Sequence, residues 1–274
     1  MKNWQYQLER HADEQGQKPL YRLLSRRGEV SRQLTYQEVW AQANGMAQIL
    51  REQFNPGDRL LLLFEPDLDF CLALWACFLA GMVAIPLYPP ADPRMRERFL
   101  SVSRDAEARG ILTTAAIQKK VRVARWFLPV FRRLQWLAID ALHLPAPGRL
   151  PEVSPESLAL LQYTSGSTHQ PKGVMLSHQN FMSNSQMLDL ASRLPGQSPE
   201  ARCVSWLPLY HDMGLMCGVI QPVYFGSESL LMSPLTFLQK PLRWLQALSD
   251  YQGTYSSAPN FAYDFCVKRI RAEE

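Results

Sequence analysis

Leu160-Leu161-Gln162-Tyr163-Thr164-Ser165-Gly166-Ser167-Thr168-His169-Gln170-Pro171-Lys172-Gly173-Val174 is the stretch that decides how this chain is read. An apolar run leads into hydroxyl residues gathered about one glycine, and a lysine follows just before a second glycine. Thr164, Ser165, Ser167 and Thr168 carry hydroxyls able to donate to phosphate oxygens. Gly166 lets backbone amides approach closely, as an anion-binding turn requires. Lys172 adds a mobile positive charge suited to a polyphosphate. The spacing is not that of a Walker A loop, because Lys172 precedes Gly173 and Val174 stands where Ser or Thr is needed. Nor is it the G-x-G-x-x-G of dinucleotide sites. On composition alone two readings stay open: a phosphate loop, or a Ser/Thr/Gly surface linker. A linker, however, has no need of a lysine at a fixed distance after a strand.

Outward from this loop the elements alternate. Strands are expected at 59–64, 82–87, from 110, at 134–139 and at 158–163, then at 203–207, 228–232 and 254–256. Helices are expected at 67–80, 94–108, 177–190, 213–224, 241–251 and 260–271. Such alternation predicts a layered α/β fold with a largely parallel sheet. Residues 70–91 form 22 uncharged positions, long enough to span a bilayer. Gly81, Pro86, Pro89 and Pro90 interrupt them, so a buried helix and strand are expected instead.

The 274 residues carry a net charge of +4, too little to argue for nucleic acid, and the 47% hydrophobic content is ordinary for a globular protein. Residues 1–150 carry a net +6 and residues 151–274 a net −2. The shift coincides with Pro145, Pro147, Pro151 and Pro155, which places a boundary between a first α/β subdomain (1–150) and a second (151–274). An odd count of five cysteines without C-x-x-C spacing argues against a disulfide framework or zinc site, and the first fifteen residues lack the apolar stretch of a signal peptide. The cytoplasm is the expected location. Between Lys119 and Arg133 six basic residues come without an acid, which reads as a solvated helix face or a membrane-surface patch. His11, His143 and His178 form no constellation and read as surface or packing residues.

Tyr163-Thr164-Ser165-Gly166-Ser167-Thr168 with Pro171-Lys172-Gly173 resembles the signature of the adenylate-forming enzymes, which activate carboxylates with ATP. The glycine usual after Thr168 is His169 here. The resemblance implies the layered αβα subdomains of that family's large N-terminal domain, incomplete at the C-terminus. It places Thr164, Ser165, Gly166, Ser167, Thr168, Lys172 and Gly173 on the ATP phosphates, with Lys172 helping pyrophosphate depart. Four further stretches resemble the fatty acyl-AMP ligases within that group: Ala84 to Pro90, Ser205 to Leu215, Met232 to Leu245, and Ala258 to Asp264. That branch implies a fatty acid converted to acyl-adenylate, then passed to the phosphopantetheine thiol of an acyl carrier protein.

By the same resemblance, Tyr210, His211, Asp212, Met213 and Gly214 lie near the reacting carboxylate, and Ala258, Pro259 and Asn260 wall the acyl and adenylate pocket. His211 is a catalytic candidate that orients the carboxylate, or a helix-start residue satisfied locally. Asp212 and Asn260 also suit helix caps. Met213 and Met216 suit an alkyl tunnel or a core. The Mg2+ ligands are expected downstream, so no metal ligand is assignable. Family members run to about twice this length. A binder of acyl chains or nucleotide without turnover, one half of a split ligase with a separate C-terminal half, and an acyl-CoA synthetase remain as alternatives.

Overall fold

Asp67 and Gly81 bracket a helix as their chemistry dictates. Asp67 is extended (φ −148°, ψ 167°) and its carboxylate accepts from the Leu68 amide, while Gly81 adopts a left-handed φ of 73° and its N–H reaches the Cys77 and Phe78 carbonyls. Between them Leu68–Ala80 buries 12 of its 13 residues. It is hydrophobic all round, as a core helix must be. Among the described residues no helix is long and apolar enough to cross a membrane.

The computed structural model describes residues 3–90, 92–127, 132–164, 172–191 and 200–271. The strands are β1 (Pro19–Leu24), β2 (Val30–Thr35), β3 (Arg59–Leu63), β4 (Val83–Leu87), β5 (Gly110–Thr113), β6 (Gln135–Ala138), β7 (Leu158–Thr164), β8 (Lys172–Ser177), β9 (Arg202–Ser205) and β10 (Glu228–Met232). The chain divides into two units, Met1–Glu9 with Val39–Met182, and Arg10–Glu38 with Ser183–Glu274. The 150/151 boundary expected from the prolines falls inside the first.

The first unit holds a six-stranded sheet in the order β6-β5-β3-β4-β7-β8. All neighbours are parallel except β7 and β8. β4 is buried throughout, and so is β3 apart from Arg59. That is the near-continuous apolar pattern of strands covered on both faces. The Leu68–Ala80, Pro93–Asp105 and Ala115–Phe127 helices link successive strands from β3 to β6. β4 lies on one side of β3 and β5 on the other, so the direction of winding reverses between β3 and β4.

Local chemistry sets several ends differently from the sequence expectation. The Pro93–Asp105 helix stops before 108 because Glu107 takes a φ of 49°. Ser177 closes β8 instead of opening the next helix. It caps the His178–Ala191 helix reciprocally with Asn180, whose amide donates to Ser177 Oγ (3.1 Å) while the Ser177 amide donates to Asn180 Oδ1 (2.9 Å). In the basic run, Lys120 pairs with Glu65 at 3.1 Å, so an acid remote in sequence supplies what the segment lacks. The side chains of 122–131 lie outside those described.

The second unit holds a four-stranded sheet, β2-β1-β10-β9, parallel except for the β1–β2 hairpin. Glu228 on β10 is 5% exposed, and Arg22 from β1 (2.9 Å) and Arg202 from β9 (3.4 Å) pair with it. A carboxylate this buried needs such partners. Beside the sheet Trp206 stacks on Phe237 (3.8 Å, 10°) within a cluster that includes Trp244, Ala262 and Cys266. The strand expected at 254–256 reduces to one bridge between Tyr255 and Cys203.

The helix expected at 213–224 is broken into Asp212–Leu215, a π-helical Met216–Ile220 and Gln221–Phe225. Pro222 is the reason. It has no N–H to offer the Gly218 carbonyl one turn back. Ser229 Oγ donates to that carbonyl instead (2.7 Å), and the Tyr21 hydroxyl donates to the Val219 carbonyl (2.7 Å). The widened turn is thus satisfied by the sheet beneath it.

Candidate functional site

β7 runs parallel to β4, so its Thr164 end lies on the edge where the parallel strands end. In open α/β sheets that edge is where ligands bind. β8 returns antiparallel, with Thr164 opposite Lys172, Tyr163 opposite Gly173 and Gln162 opposite Val174. Thr164 and Lys172 are both exposed. Among the described residues no ion pair occupies Lys172. Ser165, Gly166, Ser167 and Thr168, with His169, Gln170 and Pro171, lie outside the described residues.

The need for Gly173 is local. A Cβ there would sit 2.9 Å from Tyr163 Cζ, so the tyrosine ring occupies the space a side chain would fill. Tyr163 is 5% exposed. Its carbonyl accepts from Arg98 Nη2 (2.9 Å), and its hydroxyl donates to Asp105 Oδ2 (2.5 Å). Burial, and then the hydrogen bond to Asp105, push the phenol well above its ordinary range. Sequence reasoning missed Arg98 and Asp105. Their spacing puts both on one helix face, but nothing local ties that face to Tyr163.

The second group of candidates lies in the second unit. His211 is the residue before the Asp212–Leu215 turn. Its amide donates to the Pro208 carbonyl (3.1 Å), and its own carbonyl accepts from the Leu215 amide (2.8 Å). Its Nδ1 lies 2.5 Å from Asp212 Oδ1, and both side chains are 64% exposed. Asp212 Oδ1 also accepts from the Met213 amide (2.6 Å). The cap position therefore belongs to His211, while Asp212 serves the amide just beyond it and orients the imidazole. An imidazole tied at Nδ1 presents Nε2 outward, as a lone pair when neutral and a donor when protonated.

Gly214 is buried, and a Cβ there would collide with the Pro208 carbonyl oxygen. Gly214→Ala is expected to lower unfolding free energy by about 1–3 kcal/mol, the range for overpacking. A chemical-denaturation midpoint unchanged from wild type would show that the turn relaxes freely.

Ala258, Pro259 and Asn260 lead into the Asn260–Arg269 helix. Pro259 holds the cap position (φ −70°, ψ 157°), and Asn260 is the first helical residue and exposed. The expected capping role thus moves one residue back. Ala258 packs against the Trp206 cluster. Just before it Ser256 Oγ donates to the Val204 carbonyl, and Ser257 Oγ donates to Cys217 Sγ (3.2 Å). The second unit therefore brings 256–260 alongside the β9 strand and the segment that follows Tyr210–Gly214. Met213 is 38% exposed and Met216 half-buried, so neither is a pure core residue. Tyr210 is half-buried. His11 and His178, expected as surface or packing residues, are both buried. Among the described residues no three His, Cys, Asp or Glu side chains converge as a metal site.

Residues 8–274 match the family model described as AMP-binding enzyme. The chain is similar to the medium-chain-fatty-acid–[acyl-carrier-protein] ligase JamA of Moorena producens, 38% identical over 88% of this chain and 41% of that protein. It is 37% identical to the long-chain-fatty-acid–AMP ligase FadD23 of Mycobacterium tuberculosis, over 88% of this chain and 42% of that one. In structure it resembles the fatty acyl-adenylate ligase of L. pneumophila, solved with acyl adenylate and pyrophosphate. There the TM-score is 0.89 at 34% identity, covering 100% of this chain and 47% of that one. The chain therefore spans about two fifths of the length of these relatives.

Proposed function

The chain belongs to the AMP-binding enzyme family, and from that premise we propose that it serves the ATP-dependent activation of a fatty acid to an acyl-adenylate. A fatty carboxylate oxygen attacks the α-phosphorus of ATP, the bond to the β-phosphate oxygen breaks, and acyl-AMP and pyrophosphate form. The observation that supports this best is the β7–β8 pair, which sets Lys172 opposite Thr164 at the carboxyl edge of a parallel sheet. Because the chain spans about two fifths of its relatives, the activity is proposed for the intact enzyme that contains it.

In this reading Lys172 neutralises charge on the leaving pyrophosphate. Thr164, Ser165, Gly166, Ser167, Thr168 and Gly173 surround the phosphates with hydroxyls and close-approaching backbone. His211, as an imidazolium whose Nδ1–H is held by Asp212, donates Nε2–H to orient the carboxylate. Tyr210, Asp212, Met213 and Gly214, with Ala258, Pro259 and Asn260, border the acyl and adenylate pocket. ATP arrives with Mg2+, to which no residue of this chain is assigned. The acyl group then passes to the phosphopantetheine thiol of an acyl carrier protein, with AMP as leaving group, in the cytoplasm. The name of the Moorena relative supports that acceptor.

The test supplies dodecanoate and ATP to the intact enzyme with either a phosphopantetheinylated carrier protein or coenzyme A. Mass spectrometry is expected to find dodecanoyl-AMP first, then acylated carrier in preference to dodecanoyl-CoA. Absence of the adenylate would overturn the reading; equal use of both thiols would remove only its second step. His211→Ala is expected to slow adenylate formation while leaving the thermal midpoint in place, since its side chain is mostly exposed. A parallel loss of both would return His211 to a structural role.

A further inference from the structure

Tyr163 stands one residue before Thr164, and three contacts converge on it. Arg98 holds its carbonyl, Asp105 holds its hydroxyl, and Gly173 lies against its ring. Arg98 and Asp105 are seven residues apart on the Pro93–Asp105 helix, two turns along one face. That helix is anchored independently of them. Phe99 and Val102 are 2% and 0% exposed, in a cluster with Leu61, Ile85 and Ile111. The polar pair is therefore not what docks the helix. It joins an already docked helix to the last buried residue of β7.

We propose that Arg98 and Asp105 are positioning residues for the facing pair Thr164 and Lys172, acting through Tyr163. Hydrogen bonds at the carbonyl and at the far end of the ring fix where Tyr163 sits along β7. Its ring, resting on a residue without a side chain, fixes which residue of β8 stands opposite. Thr164 then faces Lys172 and no other. Strand pairing has a period of two, so a slip of one residue would turn Lys172 to the opposite face of the sheet. Gly173 belongs to this device as well: any side chain there would push the ring off its seat. The inference rests on the reading that Thr164 and Lys172 meet the phosphates of ATP, and it predicts an effect on nucleotide affinity.

The test is calorimetric titration of the intact enzyme that contains this chain with ATP and, separately, with inorganic tripolyphosphate, at a temperature where circular dichroism shows every variant folded. Asp105→Ala and Tyr163→Phe are each expected to weaken both probes roughly tenfold, the effect of losing a hydrogen bond to a charged group. Their combination is expected to be no worse than either alone, because both remove the same link. Asp105→Asn keeps an accepting oxygen and is expected to restore affinity to within about threefold of wild type. Tyr163→Phe keeps the ring over Gly173 and so guards against simple unfolding. Affinity lost in Lys172→Ala but unchanged in Asp105→Ala and Tyr163→Phe would overturn the positioning role and leave the phosphate reading standing. A folded wild-type enzyme that binds neither probe would overturn both.

Discussion

Lys172→Ala is expected to slow acyl-adenylate formation by the intact enzyme about 10²- to 10³-fold, a loss of about 3–4 kcal/mol of transition-state stabilisation. The reasoning starts from charge. Pyrophosphate leaves as a polyanion, and charge grows on it as the phosphorus–oxygen bond breaks. A cation fixed beside it gains more in the transition state than in the ground state, which is the condition for acceleration. Lys172 meets the structural requirements. It opens β8, stands opposite Thr164, and is committed to no carboxylate among the described residues. Lys172→Arg keeps the charge but changes its shape, so partial recovery is expected. Pre-steady-state measurement of adenylate formation separates this effect from binding. A rate within threefold of wild type would remove Lys172 from the mechanism.

The second large effect is on stability in acid. His11 and His178 are each 5% exposed. Burial is the main reason that both have pKa values lowered from 6.5 to about 4, with Arg10 adding to the effect at His11. His11 lies against the Tyr36 ring at 5.2 Å, and His178 against the Phe78 ring at 5.0 Å. A histidine kept neutral by folding favours the native state fully above the unfolded pKa. Below it the unfolded chain binds a proton that the folded chain refuses. Stability is therefore expected to fall as pH drops from 6.5 toward 4, by on the order of 3 kcal/mol per histidine across that window. Urea midpoints taken between pH 7 and 4 measure this. His178→Leu is expected to flatten the slope by about one proton. A midpoint independent of pH over that range would mean that these imidazoles are protonated in the folded protein.

How much of this was legible in the sequence depended on whether the cause was local. The Leu68–Ala80 helix could be read because its cap, its stop and its apolar filling are adjacent in the chain. The Leu158–Thr164 strand could be read for the same reason. β8 was not visible, since it is an edge strand whose Val174 and Met175 are 47% and 68% exposed and give no alternation. The β1–β2 hairpin was hidden because its outer strand is largely polar and only Leu34 in it is buried. Pro222 was available to read, yet its consequence depends on Ser229 and Tyr21, which only the fold brings near. Arg98 and Asp105 are the clearest case. They are ordinary helix-surface residues until Tyr163 arrives from 65 and 58 positions away.

The most direct measurement is fatty-acid-dependent exchange of labelled pyrophosphate into ATP by the intact enzyme that contains this chain, with dodecanoate present or absent. The expected result is exchange that requires dodecanoate and is abolished by Lys172→Ala. Exchange that proceeds without any fatty acid, or no exchange across a series of straight-chain fatty acids, would contradict the assignment of this chain to fatty acyl activation.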